Sequence, residues 1–215
     1  MWVNRYKRDN KMAPKFPPLD WDGLKTYSLS KRKSLVAADD FATPWGQGGS
    51  LRSFLTGLPT ILAGADLNAV IEAIARAHKR GKTVIFAMGA HVIKVGLNPV
   101  VIDLMQQGVI SAVAMNGAGI IHDTEIALAG QTSEDVAGTI DDGSFGMARE
   151  TAQCLNASID LAHTQQTGLG SAVGRYLIEQ QAPHVEESIL AAGARLNIPV
   201  SVHVAFGTDI IHMHP

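Results

Sequence analysis

Val113-Ala114-Met115-Asn116-Gly117-Ala118-Gly119-Ile120-Ile121-His122-Asp123-Thr124-Glu125 is the stretch that decides how this chain is read. Residues 109–115 form an apolar run that reads as a buried β-strand. The strand leads directly into a Gly-rich turn, and a His-Asp pair follows. Backbone without side chains at a strand's carboxyl end lets a phosphate or a ribose approach the amides. The pair adds an ionisable ring and a carboxylate beside that space.

Working outward, residues 83–88 read as a second buried strand, which meets a similar turn at Gly89-Ala90-His91. Between the two strands, Asn98-Pro99 reads as an N-cap followed by a first-turn proline. Val100, Val101, Leu104 and Met105 supply the apolar stripe, and Gly108 ends the helix. A strand–helix–strand unit with short connections pairs its strands in parallel. A third strand is expected over residues 199–205, running into Phe206-Gly207-Thr208-Asp209. Leu67, Val70, Ile71, Ile74 and Ala75 mark a helix that Asp66 caps and Gly81 closes. Further helices are expected near 123–129, 146–160, 170–181 and 183–196, with a turn at Asp141-Asp142-Gly143. Thr132-Ser133-Glu134-Asp135 reads as a helix start with acidic residues at its positive end.

The expected fold class is therefore α/β: a doubly wound, mainly parallel sheet with helices on both faces, of Rossmann type. An irregular N-terminal arm precedes it. Residues 1–60 hold Pro14, Pro17, Pro18, Pro44 and Pro59, all three tryptophans and a Gly46-Gln47-Gly48-Gly49 joint. Lys31-Arg32-Lys33 in this arm reads as a solvated basic patch. The division expected is an arm over 1–60, packing on a neighbouring surface such as another subunit, and an α/β domain over 61–215.

Composition supports one α/β core. Apolar residues make up 46% of the 215 and aromatic residues 6%, so small aliphatic side chains dominate the packing. A net charge of −2 gives no electrostatic case for nucleic acid or an anionic membrane. No apolar run is long enough to span a bilayer, and the first eight residues lack the apolar segment of a secretory signal. One cysteine, Cys154, excludes an intrachain disulfide, fits a reducing cytoplasm, and reads as a small packed hydrophobe on a helix.

Three strand ends near Met88, Met115 and Ala205 would share one sheet edge, where ligands of open α/β sheets bind. They deliver His91, Lys94, Asn116, His122, Asp123, Glu125, Thr208 and Asp209. A carboxylate there can accept both hydroxyls of a ribose, and Gly89, Gly117, Gly119 and Gly207 leave room for a diphosphate. Each group also has a structural explanation. His122 and Asp123 can cap the following helix, His91 can be a bonded interior histidine, and Asn116 can hold a left-handed turn. Lys94, in an apolar loop, reads as an anion contact. His212 and His214 would share a face of a strand and, with His122 and Asp123, could hold a hydrolytic metal. No nucleophile elbow, Walker loop, Cys-x-x-Cys or zinc-protease motif is present.

Gly89-Ala90-His91-Val92-Ile93-Lys94-Val95-Gly96-Leu97, the helix after it and residues 109–123 resemble deoxyhypusine synthase. The likeness covers residues 80–130 well and 183–212 loosely, through Ile198-Pro199-Val200 and Thr208-Asp209-Ile210-Ile211. It implies a doubly wound NAD-binding fold and a homotetramer with active sites at subunit contacts. It also implies aminobutyl transfer: NAD takes a hydride from spermidine, an enzyme lysine attacks the imine, and the group passes to an acceptor amine such as a protein lysine. On this likeness Gly89, Ala90, His91, Lys94, Asn116, Gly117, Ala118, His122, Asp123 and Thr208 line the cofactor, and Asp209 holds the amine. The family's nucleophilic lysine would lie beyond Pro215, so the chain is expected to be part of a longer protein or to lack the transfer step. Met115-Asn116 and Lys94 depart from the family's hydroxyl and small polar residues, which makes a divergent member the expectation. The rival reading is a catalytically incomplete dinucleotide-binding module that assembles or regulates a partner.

Overall fold

The computed structural model describes residue 16, residues 21–141 and residues 143–210. The chain divides into two compact units, residues 1–62 and 63–215. The described part of the first is held by turns and caps, with no buried residue. It has two 3-10 turns, Leu29–Lys31 and Ala38–Asp40, and one short helix, α1 (Leu51–Thr56). The Ser50 hydroxyl caps α1 by accepting from the Ser53 amide at 3.1 Å. Thr60 donates to the Asp40 carboxylate at 3.1 Å and so fastens the ends of the segment.

The second unit is helix-rich around a small parallel sheet, an α/β arrangement. α2 (Leu62–Lys79) leads to β1 (Ile85–Met88). Two helices, α3 (His91–Lys94) and α4 (Asn98–Gln106), return the chain to β2 (Ala112–Asn116). Then follow α5 (Gly117–Ala129), α6 (Val136–Thr139), α7 (Arg149–Gln165), α8 (Leu169–Glu179) and α9 (Ile189–Leu196) before β3 (Val200–His203). The strands lie in the order β1-β2-β3, all parallel. Met88 pairs with Met115, and Met115 with Val202, so the three carboxyl ends share one edge.

Strand alternation sorts the two faces of the sheet. Phe86, Met88, Val113, Met115, Val200 and Val202 face the core, against Ile120, Leu155, Leu177, Ile189 and Leu190. Ile85, Ala87, Ser201 and His203 lie exposed on the other face. A doubly wound sheet reverses its strand order at a switch point. The order here runs one way, so the reversal and the second covered face that the sequence suggested are not found among the described residues. α8 packs tightly against α9 because Gly174 has no side chain: an added Cβ would overlap the Leu190 carbonyl. Cys154 is buried in α7, and burial pushes its thiol up to about 11. No helix among the described residues is long and apolar enough to cross a membrane.

Candidate functional site

α5 starts immediately after β2, with no intervening loop, so its positive end opens on the shared edge of the strands. Asn116 supplies the cap: it has extended backbone, and its side-chain oxygen accepts from the Gly119 amide at 2.9 Å. The left-handed turn envisaged for Asn116 is therefore not made. From Gly117 onward the helical period deals residues to two sides. Ala118, Ile121, His122 and Glu125 line a cavity of about 290 Å³. Ile120, Asp123, Thr124 and Ala127 turn into the core.

The turn after β3 closes one side of that cavity. Thr208, Asp209 and Ile210 line it. Asp209 anchors its own turn by accepting from the Ala205 amide at 2.6 Å. Its carboxyl group lies directly against Gly117, where an added Cβ would overlap it. The Ile210 side chain sits in the same way against Gly146, in the connection between α6 and α7. Glu134, in the α5–α6 connection, accepts from the Gly146 amide at 2.7 Å and lines the cavity too.

A short polar chain runs along the cavity-facing side of α5. Thr132 donates its hydroxyl proton to Glu125, so it must accept from Nδ1 of His122, 2.6 Å away. In the neutral ring this fixes the proton on Nδ1 and leaves Nε2 with its lone pair. Thr151 adds a weak donor to Glu125 at 3.4 Å. Burial pushes the Glu125 carboxyl up. The bonds from His122 and Thr132, the charge of His122 and the bond from Thr151 outweigh it and hold Glu125 below its ordinary value.

Of the two tasks read for Asp123 in the sequence, ligand contact and helix cap, the structure makes it a cap, but of α9 and not of the helix that follows it. It is fully buried, and its carboxylate is filled by four donors. Asn98 Nδ2 and the Ile189 amide reach one oxygen at 3.1 and 2.9 Å. The Ser188 hydroxyl and the Leu190 amide reach the other at 2.6 and 3.0 Å. It is an N-terminal cap for α9, supplied from across the fold, and it has no oxygen left for a ribose. Burial pushes its carboxyl above the ordinary value, with the bonds from Ser188, Leu190, Ile189 and Asn98 pulling the other way.

Of the residues singled out in the sequence, the structure brings Lys94, Ala118, His122, Thr208 and Asp209 to one cavity. Gly89 and Asn116 lie exposed outside its lining, as does His91, which opens α3 and is not an interior histidine. Ala90 is buried, Gly117 lies under Asp209, and Asp123 faces the core. His212 and His214 lie outside the described residues, and Asp123 is unavailable to a metal. Among the described residues no group of three His, Cys, Asp or Glu is placed to hold a metal ion. Glu125 appears in the sequence as a strand-end group, whereas the cavity roles of Glu134, Phe145 and Gly146 do not. Their position in a long connection gives no periodic signal; only the spacing of acids behind α5 hints at Glu134.

No family model matches the chain, and no curated protein matches its sequence. Among the solved structures that resemble it are two of named activity. One is a proposed deoxyhypusine synthase from Entamoeba histolytica, with a TM-score of 0.49 and 14% identity over 80% of this chain and 68% of that one. The other is the apo form of an arginine dihydrolase from the ornithine–ammonia cycle in cyanobacteria. There the TM-score is 0.46 and the identity 16%, over 67% of this chain and 18% of the dihydrolase. The chain thus spans less than a fifth of the dihydrolase.

Proposed function

We propose that the cavity at the strand ends binds a cationic amine of the spermidine class. The observation that carries this is charge: Glu125, Glu134 and Asp209 line one cavity, with Lys94 and His122 as its basic groups. Carboxylates converging on a cleft with low-dielectric walls attract a cation and repel a phosphate. The volume, about 290 Å³, lies at the small end of the roughly 300–1,000 Å³ range of ligand pockets and suits a narrow, flexible chain. A second cavity of about 500 Å³ shares Glu125, Ser133 and Glu134 and adds Glu150. A linear polyamine with separated ammonium groups would therefore meet carboxylates along its length. His122, with Nε2 free to accept, would take a proton from the bound ammonium, and Thr132 and Glu125 would hold the ring and stabilise its charge.

The finer activity we propose is aminobutyl transfer through an imine, of the deoxyhypusine synthase type, to a small amine or a protein lysine. It draws on the resemblance of residues 80–130 and on the acidic cavity. NAD would be the hydride acceptor of such a reaction. The residues present do not fit its diphosphate within the cavity: Asp209 fills the space at Gly117, and the neighbouring acids repel a phosphate. Room for a phosphate is left at two other strand-end glycines: over Gly207, where an added Cβ would meet nothing within 4 Å, and over Gly89, where it would meet Asn116 Nδ2 at 3.9 Å. The opening at Gly89, flanked in sequence by Ala90, His91 and Lys94, favours the second reading, a dinucleotide-binding module without transfer activity.

Calorimetric titration with spermidine separates these. Binding that weakens about tenfold or more in Glu134→Gln and in Asp209→Asn supports the amine site; absence of binding up to millimolar spermidine removes it. Borohydride trapping after incubation with NAD and spermidine tests transfer: a covalent adduct supports it, and absence of an adduct removes it. A dinucleotide released on denaturation, without any adduct, identifies the module.

A further inference from the structure

We infer that the amine bound in this cavity carries a carboxylate at its other end, and that Lys94 holds that carboxylate. The ligand is then a short ω-amino acid and not a plain diamine. The inference rests on the amine site proposed above and supplies its missing counter-charge.

The first observation is Lys94 itself. It ends α3, follows the carboxyl end of β1, and lines the cavity together with Glu125, Glu134 and Asp209. Each of those carboxylates has a donor within the fold: the Thr132 hydroxyl for Glu125, the Gly146 amide for Glu134 and the Ala205 amide for Asp209. Lys94 has no such partner. Among the described residues its side chain makes neither an ion pair nor a hydrogen bond, so the ammonium stands out of reach of all three acids. Thr208, on the turn after β3, lines the same cavity, and its hydroxyl is also without a partner among the described residues. A cation and a hydroxyl left unmet on one cavity wall suit a carboxylate, which accepts from both.

The second is the order of charge along α5. Ala118, His122 and Glu125 line the first cavity, and Glu125, Leu128 and Ala129 line the second. The two cavities therefore follow one another along the helix and meet at Glu125. Lys94 and Thr208 line only the first, Glu150 only the second, and Glu134 both. The trough is thus basic near the strand ends and acidic further along. From Ala118 to Glu125 the helix rises by about 10 Å, an interval suited to a short aliphatic chain with a charged group at each end. Ile121, Phe145 and Ile210 offer apolar wall to its methylenes.

The third is selection. Three carboxylates in one cavity repel a free anion. A dipolar molecule meets them with its ammonium and presents its carboxylate to Lys94. A diamine of the same length is charged at both ends at neutral pH. One of its ammonium groups would then face Lys94, a like-charge contact that costs affinity. The sequence of charges along the trough favours the zwitterion over the dication.

The test titrates the full chain calorimetrically with three probes that share a five-carbon chain: δ-aminovalerate, cadaverine and valerate. The amino acid is expected to bind about tenfold more tightly than the diamine. Valerate, which lacks the ammonium, should not bind up to millimolar concentration. Lys94→Gln, at an exposed position, should weaken δ-aminovalerate about tenfold and should not weaken cadaverine. Glu134→Gln should weaken both amines. Cadaverine binding as tight as that of δ-aminovalerate in the native chain, or a preference that survives in Lys94→Gln, would overturn the inference and leave the amine site standing. Valerate binding as tight as that of δ-aminovalerate would overturn it as well. Failure of both amines to bind would remove the amine site together with it.

Discussion

Asp123 and Glu125 stand two residues apart on α5 and have opposite surroundings. Asp123 is sealed among four donors that belong to α9 and α4, and its work is to join distant parts of the fold. Glu125 faces a cavity, is partly exposed, and has His122 and Thr132 as partners. The difference teaches that identical chemistry on one helix is divided by the 3.6-residue period alone. One carboxylate serves stability and the other is left available for a ligand.

The comparison breaks first at Asp123. Asp123→Ala leaves Asn98 Nδ2, the Ser188 hydroxyl and two helix amides without their acceptor in the core. A loss of about 3–5 kcal/mol in urea denaturation is expected, as for a buried charged network that loses one member. Glu125→Ala should cost under about 1 kcal/mol and act on amine binding instead. Comparable stability losses from the two variants would remove the division between them.

Gly117→Ala sharpens it from the side of the cavity. The new methyl overlaps the Asp209 carboxyl, so the turn after β3 has to move. Overpacking of this kind costs roughly 1–3 kcal/mol. Spermidine affinity should fall with it, because Asp209 leaves the lining. The double variant Gly117→Ala/Asp209→Ala restores the room. It should recover most of the stability and none of the affinity, a coupling that a thermodynamic cycle measures directly. Additive losses would show that the two groups do not meet.

Much of this fold can be read from the sequence, and the site less so. Residues 83–88, 109–115 and 199–205 are legible as strands because each is a short apolar run bounded by Gly, Pro or Asn. The observed strands end within three residues of those limits, and β1 ends at Met88 as expected. α4 is legible through Pro99 near its start and Gly108 past its end. α5 is not, since Gly117 and Gly119 have poor helix propensity and look like a turn. Packing overrides propensity there: an added Cβ at Gly119 would lie 3.0 Å from Met115 Cβ, so the glycine lets the helix rest on the strand. With the helix start placed six residues too late, His122 and Asp123 look like one pair. Counted from Gly117, they belong to different sides. Glu134 and Gly146 reach the cavity from a connection with no period to read.

Thr132→Val tests the chain of bonds behind His122 with a smaller effect. The isosteric methyl removes the donor to Glu125 and the acceptor for Nδ1 while keeping the volume. The ring loses its fixed tautomer, and the pH profile of any turnover should shift and flatten. Spermidine affinity should change less than threefold, since no carboxylate is lost. A profile identical to that of the native chain would mean that His122 does not handle the proton.

The smallest expected effect is the pH dependence contributed by Glu125. Burial alone would raise its pKa, but the bonds from His122 and Thr132 and the charge of His122 bring it below the value of an unfolded glutamate. A carboxyl whose pKa is lower in the folded state releases its proton more readily there. Its stabilising contribution is complete above the unfolded pKa and is lost as pH falls through the folded one. Glu125→Gln cannot titrate, so the stability gap between native chain and variant should be widest near neutrality and close as pH falls through the folded pKa of Glu125, by a few tenths to about 1 kcal/mol. Asp123 supplies the internal contrast: burial raises its pKa, so its own linkage has the opposite sign, and Asp123→Asn should reverse the slope that Glu125→Gln reveals. Slopes of the same sign in the two variants would mean that the period of α5 does not separate a structural carboxylate from an available one.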